Sequence, residues 1–210
     1  MNTIRSLFFL FLALVLVGCS KDDSGTPGSL VELYATEEGQ SIVEVAVSSD
    51  QKYYVGLHRY DNMTYEHEHE IIVIENGKSR RLLKSEGEVN GLVLSDDEQS
   101  LYYGNRRNND DVFLQKVNVA NGFFKSLVKI DDAIRVYGLR QLSNGSLIFS
   151  VVGATRNSSG RILRYDFSSG ISEIASRGQY LKLTDVNEAN GIILAQDSFD
   201  PIIVMDMSGN

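Results

Sequence analysis

Turn-forming residues return along this chain at a nearly constant interval, and that interval constrains the fold more than any other feature. Val47-Ser48-Ser49-Asp50, Leu94-Ser95-Asp96-Asp97, Leu142-Ser143-Asn144-Gly145 and Glu188-Ala189-Asn190-Gly191 punctuate the sequence. Ser49 to Ser95 is 46 residues, Ser95 to Ser143 is 48, and Asn144 to Asn190 is again 46. A period in this range marks a repeat architecture, in which one small unit is copied and stacked. Each turn leads into a short apolar run: Tyr53-Tyr54-Val55, Leu101-Tyr102-Tyr103, Leu147-Ile148-Phe149 and Ile192-Ile193-Leu194. Aromatic and β-branched residues of this kind suit a half-buried pleated surface.

A second turn follows in every unit, at Asn76-Gly77, Asn121-Gly122, Ser169-Gly170 and Ser208-Gly209. Asn-Gly and Ser-Gly supply the positive φ that tight connections between twisted strands demand. Three units continue into a further strand, at 79–83, 123–128 and 171–175. Short antiparallel strands at this spacing, without helical periodicity of useful length, describe the blades of a β-propeller. Two segments make the likeness more specific. Ser-Ser-Asp-Gln-Lys-Tyr-Tyr-Val (48–55) and Ile-Val-Met-Asp-Met-Ser-Gly (203–209) resemble the Ser-Pro-Asp-Gly-Lys and Met-Asp-x-x-Gly signatures of TolB-like propeller repeats. The resemblance spans residues 29–210 and implies a propeller domain, although the first turn lacks the family's Pro and the units are fewer than the family's usual six.

The fourth unit ends at Asn210 without an outermost strand, while Ser29-Leu30-Val31-Glu32-Leu33-Tyr34 precedes the first unit and has strand character. An open ring leaves unpaired edges, so pairing 30–35 with 202–206 is expected to close a small all-β, four-bladed propeller with its N-terminal strand. Residues 27–210 number 184, the length of four 46-residue units. The alternatives are a fragment of a six- to eight-bladed ring or a dimer that shares strands.

Residues 1–18 read as a signal peptide: Arg5, then an apolar run from Leu7 to Val17, then Gly18. Such a run rises about 16 Å as a helix, roughly half of a hydrocarbon core. Leu16-Val17-Gly18-Cys19 resembles the bacterial lipobox, which implies lipidation at Cys19, the one Cys of the chain. Residues 19–28 form a polar tether, and Lys21-Asp22-Asp23 resembles the export signal of Bacteroidetes lipoproteins. That resemblance implies an outer-membrane protein, lipid-anchored and exposed at the cell surface. Two or more acyl chains give stable anchoring, where one holds only marginally.

Composition narrows the partners. The chain has 20 Lys+Arg against 28 Asp+Glu, a net charge of -8, and lacks the long basic runs of a phosphate-binding surface, so nucleic acid is not an expected partner. A single Cys rules out an internal disulfide. Nucleophile elbows, His-Glu-x-x-His zinc motifs and glycine-rich phosphate loops are missing from the sequence, which points to no catalytic residues and implies no cofactor.

In a blade of this topology, one face of the disc carries the connections from second to third strand and from fourth strand to the next blade. Alignment on Gly56, Gly104 and Gly153 places Arg59, Arg107 and Arg156 equivalently there, with Ser198 in the fourth unit. Guanidinium forks at a channel mouth suit carboxylate, phosphate or sulfated sugar. Tyr60, Tyr65, Tyr180 and Phe199 are aromatic candidates for the same face. In Tyr65-Glu66-His67-Glu68-His69-Glu70, an extended backbone projects His67 and His69 from one side and the Glu residues from the other. That pair could seed a divalent metal site, with Asp61 or His58 as a third ligand. The reading favoured is an anchored binding or scaffold module for a protein or glycan. A carbohydrate-active hydrolase or lyase with carboxylates at the channel mouth, and a truncated propeller without independent activity, stay open as alternatives.

Overall fold

The computed structural model describes residues 34–209, apart from 65, 108, 156–157, 179 and 198–201. They build four antiparallel sheets whose strands follow one another in chain order. The first contains β1 (Gln40–Val47), β2 (Tyr53–Tyr60), β3 (His67–Glu75) and β4 (Lys78–Ser85). The second contains β5 (Gly87–Leu94), β6 (Ser100–Arg107), β7 (Val112–Asn118) and β8 (Phe124–Ile130). The third is β9 (Ala133–Gln141), β10 (Leu147–Gly153), β11 (Gly160–Asp166) and β12 (Gly170–Arg177). The fourth has three described strands, β13 (Leu181–Asn187), β14 (Ile192–Asp197) and β15 (Ile202–Asp206), with a single 3-10 turn at Glu188–Asn190.

The repeated turns share one backbone solution. Gln51, Glu98, Gly145 and Gly191 hold equivalent places between the first and second strands of the four sheets, and all four have φ between 55° and 83°. Two of these left-handed positions are filled by glycine and two by side chains that accept the strain. Polar side chains fix the turns: Ser48 Oγ donates to Asp50 at 2.5 Å and Ser95 Oγ to Asp97 at 2.6 Å. At the second turn of the first sheet, Asn76 and Gly77 both have positive φ, the pair a two-residue hairpin requires.

Strand alternation assigns the core. In the first sheet, Tyr54 opposes Val73 and Gly56 opposes Ile71, so these share the face that packs on Val89, Leu101 and Tyr103 of the second sheet. Tyr102, Val112 and Leu114 turn the other way and meet Leu147, Phe149 and Val151 of the third. Ile148 and Ile162 then pack on Leu181, Leu183, Ile193 and Ala195 of the fourth. The first strands touch in the same succession, β1 with β5, β5 with β9 and β9 with β13. Three sheet-on-sheet interfaces therefore carry the hydrophobic stabilisation, each buried aliphatic or aromatic side chain contributing about 1.5–3 kcal/mol.

Close approach at the inner strands depends on Gly104, where a Cβ would stand 2.5 Å from the Val136 Cβ and 2.6 Å from Asn90 Oδ1. Asn90 bridges the same seam, accepting the Val136 N–H at 3.0 Å.

The two ends of the series differ. On the outward face of the first sheet, Val55, Leu57, Ile72 and Ile74 are buried in a cluster joined by Tyr34, Ile42, Val45 and Tyr53. On the outward face of the fourth, Ile202 and Val204 are 58% and 63% exposed. The expected closing strand lies mostly outside the described residues. Tyr34 and Ala35, its described members, are not in a strand, and Tyr34 packs on the first sheet. The described residues do not form a closed ring. The signal peptide, Cys19 and the tether also lie outside the described residues.

Candidate functional site

The antiparallel order sends the β2–β3 and β6–β7 connections to the same end of the molecule as the β4–β5 and β8–β9 connections, the arrangement expected of the binding face. A cavity of about 630 Å³ opens there between the first and second sheets and reaches the start of β9. Its walls come from the strand ends: Ile42 and Val43 of β1, His58 of β2, His67 and His69 of β3, Glu88 of β5, Arg106 and Arg107 of β6, and Arg135 of β9. Ser85 at the end of β4, Gly87 at the start of β5, and Glu86 and Asp110 from the connecting segments complete it.

Each arginine of the cavity stands beside an acid. Arg106 contacts Asp110 at 2.7 Å, Arg107 lies 3.5 Å from Glu86, and Arg135 is hydrogen-bonded to Glu88. The last pair joins the second sheet to the third, so it ties the mouth together across a seam. Arg107 also lies over the Phe113 ring, 4.3 Å from its centroid, and its Nε is buried without a protein partner. The result is a wall rich in both donors and acceptors whose charges balance locally, a surface for polar groups of either sign rather than for a polyanion.

All three histidines of the chain meet here. His58 and His69 are direct cross-strand partners and Tyr60 opposes His67, which sets the three rings on one face of the β2–β3 pair. His58 Nε2 and His67 Nδ1 are 2.8 Å apart, with ring planes within 8° and centroids 5.1 Å apart. These values describe two rings meeting edge to edge through a shared hydrogen. His69 lies against His58 with centroids 4.6 Å apart, and its Nδ1 is buried without a protein partner. Burial, followed by the neighbouring imidazoles, pushes the His69 pKa down to about 4. Burial and His67 lower His58 as well. The expected separation of sides is seen: Glu68 pairs with Lys84 at 2.6 Å and Glu70 with Arg81 at 3.8 Å, away from the imidazoles. Asp61, the other suggested third ligand, instead accepts the Met63 and Thr64 N–H groups within its turn. Among the described residues, no three His, Cys, Asp or Glu side chains surround a common point suited to a metal.

The arginine set expected from the alignment is divided. Arg107 points toward the first sheet and lines the cavity, whereas Arg59, at the equivalent place one sheet earlier, points to the outward side of that sheet and binds Glu37. Arg59 and Arg107 thus enter different clefts, and their guanidinium groups do not converge. Arg156, Phe199, Tyr65 and Ser198 lie outside the described residues. Tyr60 packs on His67 at 4.8 Å, and Tyr180, just before β13, is half exposed. The paired acids serve turns and ion pairs: Asp97 binds Ser95 and the Gln99 N–H, and Asp111 binds Lys129 at 2.7 Å.

Sequence reasoning did not single out Glu86, Glu88, Arg106 or Arg135. Arg106 lies beside a residue it did select. Glu88 and Arg135 are 47 residues apart, one repeat, and each is near the start of a first strand. Deeper along β1, at its bulge, Glu44 is half-buried, and burial raises its carboxyl above the usual range against the pull of Arg140, Lys182 and the Gly91 N–H.

No protein-family model matches the sequence, and the search of curated proteins returns no match. Solved structures match well in shape. TolB from Acinetobacter baumannii superposes with a TM-score of 0.63 at 18% identity, covering 87% of this chain and 45% of that one. The β-propeller domain of the Trilobed protease from Pyrococcus furiosus, described as having an open velcro topology, gives 0.57 at 9% identity, covering 84% and 57%. A chain of a nidogen/laminin complex gives 0.55 at 14% identity, covering 88% and 82%. This chain spans less than half of the TolB chain it matches. At these identities the likeness establishes the fold, and the fold is a TolB-like β-propeller.

Proposed function

We propose that this protein is a lipid-anchored β-propeller on the bacterial outer membrane whose mouth recognises a protein or glycan partner. The observation that carries this reading is the 630 Å³ cavity on the connection-bearing face, walled by three arginine–carboxylate contacts drawn from the second and third sheets. Paired charges held by rigid strand ends present preorganised donors and acceptors, which suits peptide amides or sugar hydroxyls. The nidogen/laminin likeness adds that a propeller of similar shape occurs in a protein–protein complex. Cys19 and the acidic tether behind it supply the anchor. In this reading residues 29–33 form the fourth strand of the last sheet and complete a four-bladed ring.

The test is binding by the untagged full chain in detergent, against an array of glycans and against solubilised envelope proteins. The Arg107→Ala/Arg135→Ala variant is expected to lose the bound partner by at least tenfold while melting as a folded protein. A partner held equally well by that folded variant contradicts the assignment of the mouth.

A further inference from the structure

The histidine group at the rim asks for an explanation that partner recognition does not give. A 210-residue chain with three histidines has placed all of them on adjacent positions of two paired strands. His67 and His69 are two residues apart on β3, and His58 faces His69 across the β2–β3 ladder. Strands hold such positions firmly, so only side-chain rotation separates the present arrangement from a shared ligand. We propose that His58, His67 and His69 bind a borderline divalent metal ion of the zinc, nickel or copper class at the rim of the cavity.

The starting geometry is already close for two ligands. In the hydrogen-bonded pair, one imidazole N–H donates to the lone pair of the other across 2.8 Å. A metal takes the place of that hydrogen once the donor ring carries its proton on its other nitrogen, so that both rings stay neutral and each offers a lone pair. Two nitrogens each about 2 Å from a tetrahedral ion stand roughly 3.3 Å apart, so the rings need to separate by about half an ångström and tilt. His69 supplies the third nitrogen by rotating away from its contact with His58, which relieves an Nδ1 that now lacks a protein partner. Imidazole must be neutral to ligate, so the site is formed by the three rings in their uncharged state. Imidazole-only donors select zinc, nickel and copper over magnesium and calcium, which need oxygen ligands. Glu88, whose charge acts on His58, lines the same cavity and adds a negative field favourable to a cation, whereas Arg135 acts on His69 in the opposite sense.

The inference stands apart from partner recognition and is tested without any partner. The untagged full chain in detergent is titrated with Zn²⁺, Ni²⁺ and Cu²⁺ by calorimetry at pH 7.5, with Mg²⁺ and Ca²⁺ as controls. Electron paramagnetic resonance of the Cu²⁺ complex reads the number of nitrogen ligands. One saturable site in the micromolar range is expected, with at least tenfold weaker binding in His58→Ala and His67→Ala and one nitrogen fewer in His69→Ala. Melting in the presence of EDTA confirms that the variants fold. Binding of Zn²⁺, Ni²⁺ and Cu²⁺ only above about 1 mM, or an unchanged affinity in folded His58→Ala and His67→Ala, overturns the proposal.

Discussion

Glu188 of the fourth sheet grips Ser143 of the third: its carboxylate accepts the Ser143 N–H at 2.9 Å and the Ser143 hydroxyl at 2.7 Å. The contact recurs one repeat earlier at each seam, where Gln141 accepts the Asp96 N–H at 2.9 Å and Glu98 the Ser49 N–H at 2.6 Å. Each sheet thus reaches back with a polar side chain to cap a turn of the sheet before it. Removing the grip in Glu188→Ala leaves the Ser143 N–H to water, so the loss is modest, about 1 kcal/mol. Urea unfolding is expected to show a lower midpoint with an unchanged slope. A midpoint equal to that of the parent protein contradicts a stabilising role for these grips.

The seam between the second and third sheets should be less forgiving than the seam between the first and second. Gly104→Ala drives a methyl group into Val136 and Asn90, whereas at Gly56 the nearest atom, Val89 Cγ1, is 3.3 Å from an added Cβ and belongs to a side chain. Gly104→Ala is expected to cost about 1–3 kcal/mol, and Gly56→Ala distinctly less. Thermal melts of the two variants side by side check the order, and a reversed order contradicts the packing described between the second and third sheets.

Stability should also depend on pH through the histidines. His69 has a pKa of about 4 in the folded chain against 6.5 for the unperturbed group. Above pH 6.5 neither state carries the extra proton, and the full contribution is present. Between about 6.5 and 4 the unfolded chain takes up a proton that the folded chain refuses, so stability falls with pH. His58 acts in the same direction. Because His69 is partly solvated, the loss is screened to about 1–2 kcal/mol. Denaturation at pH 7.5 and pH 4.5 is expected to show a smaller decline for His69→Gln than for the parent protein; equal declines contradict the burial of this imidazole.

Closure of the ring is read by amide exchange. If residues 29–33 pair with β15, the outer amides of Ile202–Asp206 are protected, and removing 29–33 raises their exchange at least tenfold without altering β9 or β10. Fast exchange at β15 in the full chain contradicts the four-bladed ring.

The fold was legible because its information is local and periodic. Gly145 and Gly191 sit where the turn needs positive φ, and Asn76-Gly77 forms the hairpin its letters announce. Glu98 and Gln51 adopt the same conformation without glycine, yet the repeat spacing located them. The side separation of His67 and His69 from Glu68 and Glu70 likewise followed from strand alternation alone. The site was less legible because packing between sheets creates it. Arg59 and Arg107 align in the repeat but enter different clefts, and Glu88 meets Arg135 only because the second and third sheets stack. No neighbouring letters encode such a pair.

The central claim, recognition through the mouth, is tested most directly by photocrosslinking in living cells. A benzophenone amino acid at Val43, which lines the cavity, is compared with one at Asn76, in the hairpin at the opposite end of the first sheet. The account expects a discrete adduct from Val43 that disappears in the Arg107→Ala/Arg135→Ala background and does not form from Asn76. Identical adducts from both positions, or none from Val43, would contradict it.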